Sequence, residues 1–407
     1  MTQTAVKTSA GHWTSDLMMV LAVAATILSI SMGLRQSLGL FMEPMVRAAT
    51  VSVATFGFAM AVQNLIWGLG QPFMGALSDK YGGKAVIIGA AVLFAAGLAL
   101  MSAGTMAGLY IGGGLLIGIA VAGASHGVLV GILSRIAAPQ IRAVVISILA
   151  ATGSLGTFVL APMAQFLIER VNWQNALLIF AGLAATMGGF AFLLSPRAQS
   201  DVVSRAHKAN AVAAIRHALS HPGYVGMTIA FFACGFQLIF VATHLPKYIA
   251  ICGLPPSVGA QAIALIGAFN AVGTLAAGYL GVRYGNRLVL VAIYLMRTLA
   301  IGSYISTAPT VESTLLFGAA MGFLWLSVIP PVSGLLNAMF GPTNFGALFG
   351  VMFVSHQVGA FLGAWLGGLT YDLSGGYGLA WLSLIAVGGL AAMIQYFMDD
   401  APRSLPA

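Results

Sequence analysis

Charged residues are scarce in this chain. Asp, Glu, Lys and Arg make up only 6% of its 407 residues, against about 25% in a typical soluble domain. Hydrophobic residues account for 59%, and the mean hydropathy is +0.97. This balance excludes a soluble globular protein and predicts a chain that lies in a lipid bilayer. The net charge of +8 is then explained by loops that face the cytoplasm, which collect Lys and Arg, so we expect no nucleic acid as a partner.

Cysteine and the motifs of enzyme sites are also lacking. The two cysteines, Cys234 and Cys252, have no metal-type spacing and imply neither a disulfide framework nor a metal site. The sequence contains no Walker motif, no other glycine-rich phosphate loop and no nucleophile triad. We therefore predict that the chain is neither an enzyme nor an ATP-driven pump, and that it needs no cofactor.

Long apolar runs dominate what is present. A helix needs about 20 apolar residues to cross a hydrocarbon core roughly 30 Å thick. Six runs in the first half meet this requirement, at residues 17–42, 52–77, 85–105, 107–133, 143–168 and 174–195. Six more follow, at residues 224–249, 257–281, 288–307, 312–340, 345–371 and 379–398. We refer to them as spans 1 to 12. Span 1 is too long for a signal-peptide core and is predicted to be retained.

The spans fall into two halves that repeat one design. The loop Gly75–Lys84 between spans 2 and 3 returns 203 positions later as Gly278–Arg287, with Val282 in place of Asp79. The same offset, within one residue, pairs Arg35 with Gln237. We predict an all-α membrane protein with twelve transmembrane helices in two pseudo-symmetric six-helix bundles, and a substrate site between them near the midplane. The predicted division is 1–195 for the first bundle, 196–222 for a linker with a surface helix near 208–219, and 223–407 for the second bundle.

The positions of the cations predict the orientation. By this plan twelve Lys and Arg residues lie on one side of the membrane and three on the other, Arg47, Arg170 and Lys247. Loops facing the cytoplasm carry the excess of Lys and Arg. Both termini, the linker and the Gly75–Lys84 loop are therefore predicted to be cytoplasmic, in a multi-pass protein of a bacterial inner (plasma) membrane.

One motif carries a family resemblance. The pattern Gly-x-x-x-Asp-Arg/Lys-x-Gly-x-Arg/Lys is met in full by Gly75, Asp79, Lys80, Gly82 and Lys84. On this motif and all twelve spans the chain resembles a major facilitator superfamily transporter. Residues 33–41, 243–246 and 355–363 resemble bacterial relatives of the monocarboxylate and oxalate/formate carriers. Those carriers place an arginine in span 8, where this chain has residues 270–274 without one, so that anion-binding role is not carried over. We expect a monomeric transporter.

Two arginines lie inside spans, and no acidic residue lies in the core of any span. Ionisable groups inside a membrane are costly and usually functional. The guanidinium fork of Arg35 matches a carboxylate, so we predict that it binds an anionic substrate. The alternative is a structural arginine that is bonded to the carbonyls of a broken helix or snorkels outward. Gln237 is predicted either to contact substrate or to form an interhelical hydrogen bond. Arg297, with Tyr294 and Asn270 as neighbours, either reaches the substrate or ties helices together.

The remaining candidates are three histidines, a glutamine beside one of them, and a tryptophan that precedes two prolines. His126, His244 and His356 are candidate proton carriers because histidine titrates near physiological pH; the alternative for each is a neutral, hydrogen-bonded ring. Gln357 adjoins His356 and is a candidate substrate ligand. Trp325, followed by Pro330 and Pro331, is predicted to supply an aromatic wall and a helix break that frees backbone carbonyls.

These residues predict a secondary active transporter that moves a small organic anion, a carboxylate, by alternating access, with protons as the candidate coupling ion in a symport. One alternative is an exporter of amphipathic drugs or other metabolites, which would be expected to use an acidic group in a span. Another is a membrane receptor that does not transport. For the loop motif, Asp79 is predicted to face the start of span 11, at Thr343–Asn344, when the cytoplasmic gate is closed.

Overall fold

The computed structural model describes residues 13–48, 51–138, 140–194, 211–341 and 344–402. Its long helices are Ser15–Arg47, Val53–Tyr81, Gly83–Ser102, Gly108–Ile136, Arg142–Ala191, Pro222–Ile251, Pro256–Tyr284, Asn286–Ile305, Val311–Phe340, Phe345–Ser374 and Gly378–Phe397. All are long and apolar enough to cross a membrane. A short helix, Ala211–Leu219, lies in the predicted linker, and span 7 begins at Pro222.

The helix Arg142–Ala191 contains two of the predicted spans. Its backbone is non-helical at Asn172, with φ 69° and ψ 165°. The side chain of Asn172 then accepts a hydrogen bond from the backbone N–H of Asn175 at 2.9 Å, which caps the helix that follows. Spans 5 and 6 are therefore residues 142–171 and 173–191, and within the described ranges all twelve predicted spans are present as helices.

Three spans are internally irregular. Span 1 contains the helix Ser15–Ser37, a 3-10 turn Leu38–Phe41 and the helix Met42–Arg47. Span 4 consists of a π-helical segment Gly108–Leu116 and the helices Ile117–Gly123 and His126–Ile136. Span 10 is divided into Val311–Leu324 and Ile329–Phe340, which confirms the break predicted from Trp325 and the two prolines. Spans 4 and 10 are thus both broken near the middle of the bundle.

The same glycine contacts recur in both halves. A Cβ on Gly156 in span 5 would lie 1.9 Å from the carbonyl oxygen of Ser29 in span 1. Its repeat mate Gly359 in span 11 would meet the carbonyl of Phe232 in span 7 at 2.1 Å. Because only glycine permits such close backbone approach, equivalent helix pairs are packed by equivalent glycines. This agrees with the repeat predicted from the sequence.

Spans 2 and 11 form one of the contacts between the halves, and this contact is tight over only part of its length. A Cβ on Gly57 or Gly68 in span 2 would lie 2.5 Å from an atom of span 11. Gly75 lies two turns beyond Gly68 on the same helix face, and a Cβ there would have no atom within 4 Å. The same is true of Gly350 and Gly346 in span 11. The two spans therefore diverge toward the Gly75–Lys84 loop.

We call the end of the bundle with the Gly75–Lys84 loop the loop end, and the opposite end the far end. At the far end Lys247 of span 7 forms an ion pair with Glu43 of span 1, with Nζ 2.5 Å from Oε2. The backbone N–H of Ala54 donates to Asp372 at 3.0 Å, and a Cβ on Gly39 would lie 2.2 Å from the carbonyl of Ala242. The halves are thus closed at the far end and open at the loop end.

Candidate functional site

Arg35 lies in span 1, near the middle of the bundle, and the groups that contact its guanidinium are neutral. Its Nη1 donates to the amide oxygen of Gln36 at 2.7 Å, and its Nη2 donates to the amide oxygen of Asn64. The guanidinium carbon lies 4.5 Å from the centre of the Trp67 ring, a cation–π contact. Nε has no partner and is buried. In the described part of the chain no carboxylate pairs with this arginine.

Asn64 connects Arg35 to the second half of the chain. Its side-chain oxygen accepts from Arg35, while its backbone carbonyl accepts a hydrogen bond from Nε2 of Gln357 in span 11 at 2.7 Å. Because that amide nitrogen faces span 2, the amide oxygen of Gln357 faces Nδ1 of His356, 3.0 Å away. Nδ1 must then carry a hydrogen. In the neutral ring Nε2 then carries the lone pair.

Aromatic rings make a second connection between the same spans. Trp67, whose face contacts Arg35, meets Phe353 of span 11 edge to face at 5.5 Å. Phe353 in turn stacks on His356, with ring centres 5.8 Å apart and planes 7° apart. The structure therefore brings together three residues predicted from sequence, Arg35, His356 and Gln357.

The space on the far side of Arg35 is small. A cavity of about 20 Å³ is lined by Arg35, Gln36, Leu38, Gly39, Met60, Gln63, Asn64, Ile239, Ala242 and Thr243. This volume holds about one water molecule and has no room for a carboxylate-bearing molecule. The halves diverge toward the loop end, and Trp67 and Phe353 lie on that side of Arg35.

Arg297 lies elsewhere, inside the second half. It is fully buried in span 9, and its Nη2 donates to the carbonyls of Leu324 and Trp325, the latter at 3.0 Å. These are carbonyls that the break in span 10 frees, so the structure shows Arg297 tying spans 9 and 10 together. Nε and Nη1 have no hydrogen-bond partner. The ring of Tyr294 lies 5.8 Å from the guanidinium, as predicted, and the Cys234 thiol interacts with both Arg297 and His356.

The two broken spans are held at equivalent positions. In span 4 the hydroxyl of Ser125, at the break, accepts hydrogen bonds from Trp67 Nε1 at 3.3 Å and from Gln71 Nε2 at 2.9 Å. In span 10 the backbone N–H of Leu326 donates to the side-chain oxygen of Asn270 at 2.9 Å. Asn270 stands 203 residues after Trp67. It also donates to Ser154 of span 5 at 2.8 Å, across the contact between the halves. Asn270 is thus fully engaged by protein groups.

The other predicted residues lie away from Arg35. Gln237 is fully buried and donates to the carbonyl of Leu384 in span 12 at 3.0 Å, which is the interhelical hydrogen bond of the two predicted alternatives. His244 lies at the far end, with its ring nitrogens 2.7 Å from the Ala364 carbonyl and 3.0 Å from the Tyr377 hydroxyl. His126 begins the helix that follows the break in span 4. The ring of Trp325 is buried beside the break in span 10.

The loop motif is held within the first half. Asp79 forms a hydrogen-bonded ion pair with Arg135, at the loop end of span 4. Gly82 adopts φ 84° and its repeat mate Gly285 adopts φ 89°, a conformation that strongly favours glycine. Lys84 lies over the Phe192 ring at 4.3 Å, and Lys80 over the Tyr81 ring at 4.9 Å. Gly75 faces the open space between spans 2 and 11.

The predicted partner of Asp79 was the start of span 11. That helix begins at Phe345, and Asn344 precedes it in the left-handed region without a capping side-chain hydrogen bond. Thr343 lies outside the described residues. Because the loop end is open in this structure, the prediction for the closed form stays a prediction.

Sequence reasoning did not select Asn64, Trp67 or Phe353. The sequence does contain a pattern that indicates the first two. Asn64, Trp67 and Gln71 follow one another at spacings of three and four residues in span 2, which places them on one face of the helix. Their contacts with Arg35 and span 11 depend on how span 2 is rotated in the bundle. That rotation becomes visible only in the structure.

Comparison with known proteins agrees with this architecture. The sequence is 26% identical over 388 residues to monocarboxylate transporter 13 of Bos taurus, covering 92% of this chain and 88% of the relative. It is 25% identical over 386 residues to the uncharacterised transporter YcxA of Bacillus subtilis, covering 90% and 91%. The crystal structure of a point mutant of the nucleoside transporter NupG has the same fold, with a TM-score of 0.78 at 15% identity over 93% of this chain and 99% of that one.

The family profile gives the assignment. The profile described as Major Facilitator Superfamily matches residues 17–329. This range runs from span 1 into the break of span 10 and includes the whole Gly75–Lys84 motif. The chain belongs to the major facilitator superfamily.

Proposed function

We propose that this protein is a secondary active transporter that carries a small organic anion, a carboxylate, by alternating access. The observation that carries the proposal is the state of Arg35. Its charge is buried between the two halves, 8% exposed, with two amide oxygens and an aromatic face in place of a counter-ion. A charged side chain in a membrane centre costs about 3 kcal/mol even on lenient scales. A substrate carboxylate would neutralise it and accept both fork hydrogens.

The coupling ion in this proposal is the proton, with His356 as its carrier. His356 is joined to Arg35 through Gln357 and Asn64, because its Nδ1 faces the side-chain oxygen of Gln357. Binding of a proton to His356 together with an anion at Arg35 would leave the net charge of the site the same in its empty and loaded forms. His126 and His244 are the weaker candidates because neither contacts this network, and both nitrogens of His244 lie at hydrogen-bond distance from protein groups.

Two further observations support the class of substrate and the orientation. The relatives named monocarboxylate transporters support a monocarboxylate. The distribution of cations supports a cytoplasmic loop end in a bacterial inner membrane. In that orientation the structure is the inward-open form, and the outward-open form would close the loop end.

The test is uptake of radiolabelled lactate and pyruvate into proteoliposomes by the wild type and by Arg35→Lys. Lysine keeps the charge but lacks the planar fork. Loss of a charge-assisted hydrogen bond of about 1.5–3 kcal/mol is expected to lower uptake roughly 10- to 100-fold. The matched control is Arg170→Lys, at an exposed arginine that lies over the Phe166 ring and outside the site. Unaltered uptake by Arg35→Lys would overturn the proposal.

A thermal-shift screen of the purified protein separates the alternatives. A ligand that binds the folded state stabilises it by mass action. Stabilisation by monocarboxylates, lost in Arg35→Lys, is the expected result. Stabilisation by cationic drugs instead would indicate an exporter of amphipathic drugs. Binding of carboxylates without flux in proteoliposomes would indicate a receptor.

A further inference from the structure

Asn64 is buried and takes part in three hydrogen bonds. It is 2% exposed. Its oxygen accepts from Arg35, its nitrogen donates to the carbonyl of Met60 at 2.8 Å, and its backbone carbonyl accepts from Gln357 of the other half. The repeat mate of Asn64 is Gly267, which has no side chain. The repeated fold therefore does not require an amide at this position. The amide of Asn64 must serve a purpose that exists only in the first half, where Arg35 lies.

The side-chain oxygen of Asn64 occupies a position on the Arg35 guanidinium that a substrate carboxylate would occupy. A carboxylate forms hydrogen bonds with a guanidinium that are roughly twice as strong as those of a neutral amide. An anion that takes the two hydrogens that Nη1 and Nη2 now donate displaces the amide oxygens of Gln36 and Asn64. Gln36 is partly exposed and adjoins Arg35 in span 1, so its release affects only its own helix. Asn64 belongs to span 2, and its release affects the contact with span 11.

Arg35 touches span 2 at two residues that contact span 11. Asn64 meets Gln357 through a hydrogen bond, and Trp67, one turn later, meets Phe353 edge to face. Gly68 allows this close approach, because a Cβ there would lie 2.5 Å from Cγ of Gln357. Beyond this point the spans separate toward the loop end. The Arg35 contacts thus lie at the place where the two halves begin to diverge.

We propose that Asn64 is a positioning residue that holds the Arg35 fork in the unloaded transporter and transmits anion binding to the contact between spans 2 and 11. This deepens the proposed function and rests on it. When an anion replaces the amide oxygen, span 2 loses its hydrogen bond to Arg35 and keeps only the contact of the Trp67 ring with it, while its links to span 11 remain. Span 2 then moves with the second half, and the loop end closes over the bound anion.

The test uses Asn64→Asp, which places a carboxylate on the fork permanently. Spin labels at Tyr81 and Tyr284, exposed repeat mates at the loop end, report the distance between the halves. Cys252 is replaced by serine, and Cys234 is fully buried. Without added anion, Asn64→Asp is expected to shift the distances in the direction that pyruvate shifts them in the wild type. Its affinity for pyruvate is expected to fall at least about tenfold, because the new carboxylate occupies the fork.

A second variant and a control keep the result interpretable. Asn64→Ala removes the competing oxygen, so pyruvate affinity is expected to be equal or higher while the pyruvate-induced distance change is lost. A purely structural role would lower both. Gln71→Glu adds a negative charge two turns away in the same span, where Gln71 contacts Ser125, and is expected to leave pyruvate affinity within about twofold, since it does not touch the fork.

The possible failures are distinct. If Asn64→Asp and Asn64→Ala bind and respond to pyruvate like the wild type, the positioning role is overturned while the proposed function stands. If the wild type does not respond to pyruvate but Asn64→Asp still shifts the distances, the substrate class is wrong and the positioning role stands. Equal shifts from Asn64→Asp and Gln71→Glu would also overturn the positioning role.

Discussion

The far-end ion pair between Glu43 and Lys247 is expected to set how strongly the protein favours the form closed at that end. It joins span 1 to span 7, and the two side chains are only 14% and 10% exposed. The contact is an ion pair rather than a well-aligned hydrogen bond, since Oε2 of Glu43 lacks hydrogen-bond geometry. If the halves separate at the far end, the pair must break. The ion pair therefore stabilises only the form that is closed at the far end.

Glu43→Gln removes the charge and keeps the shape. Breaking a fully buried ion pair by removing one partner costs about 3–5 kcal/mol. Here both side chains retain some contact with water and the amide can still accept a hydrogen bond, so we take about 2 kcal/mol. Since about 1.4 kcal/mol is a factor of ten, the ratio of far-end-closed to far-end-open protein is expected to fall about 30-fold.

The chain offers a matched control on the same carboxylate. Arg47 contacts the other oxygen of Glu43 at 2.5 Å, but its side chain is 69% exposed and it belongs to the same span. Exposed pairs four residues apart in a helix contribute about 0.5 kcal/mol or less, and this pair does not cross between the halves. Arg47→Gln is therefore expected to leave the equilibrium nearly unchanged.

The assay is distance measurement between spin labels at Ala103 and Ser306, which are exposed repeat mates at the far end, with Cys252 replaced by serine. Glu43→Gln should populate longer distances that the wild type and Arg47→Gln populate little. Wild-type distances in Glu43→Gln, or an equal change in Arg47→Gln, would refute the assignment of this pair as the far-end lock.

Two further predictions concern the loop end and the proton. Asp79→Asn weakens the pair with Arg135 and removes the charge that is expected to face span 11. The form closed at the loop end should therefore become rarer, as measured by the distance between spin labels at Tyr81 and Tyr284. Unchanged closure at the loop end would contradict this prediction. His356→Gln removes the candidate proton carrier. Uptake driven by a pH gradient should then fall at least about tenfold, while exchange of labelled for unlabelled pyruvate continues. An equal loss of uptake and exchange would indicate a structural role for His356.

The fold was predictable because its signals are long and redundant. Twelve apolar runs, a glycine-rich loop and its copy 203 residues later specify the number of spans and the symmetry of the halves. The break in span 10 was also predictable, because prolines cannot continue a helix without loss of hydrogen bonds. What the sequence did not indicate is that spans 5 and 6 join almost without a loop. A single Asn172 with positive φ makes that turn.

The candidate site was predictable only in part. Arg35 stands out because a lone charge in a span is rare, but its partners are amides and rings that have many uses in a membrane protein. Gln237 shows the limit of the repeat as a guide. It occupies the position equivalent to Arg35, yet its side chain lies against span 12, because Gly388 leaves room there for its amide nitrogen, 2.3 Å from where a Cβ would stand. Symmetry predicted the position and not the direction of the side chain.

The breaks in spans 4 and 10 show which features the two halves share. Trp67 and Asn270 occupy the same repeat position, hold equivalent breaks, and both contact the opposite half, through Phe353 and Ser154. One uses an indole and the other an amide. The two halves thus have the same break at the same position but hold it with different side chains, so exchanging the two residues would place each side chain among partners that do not fit it.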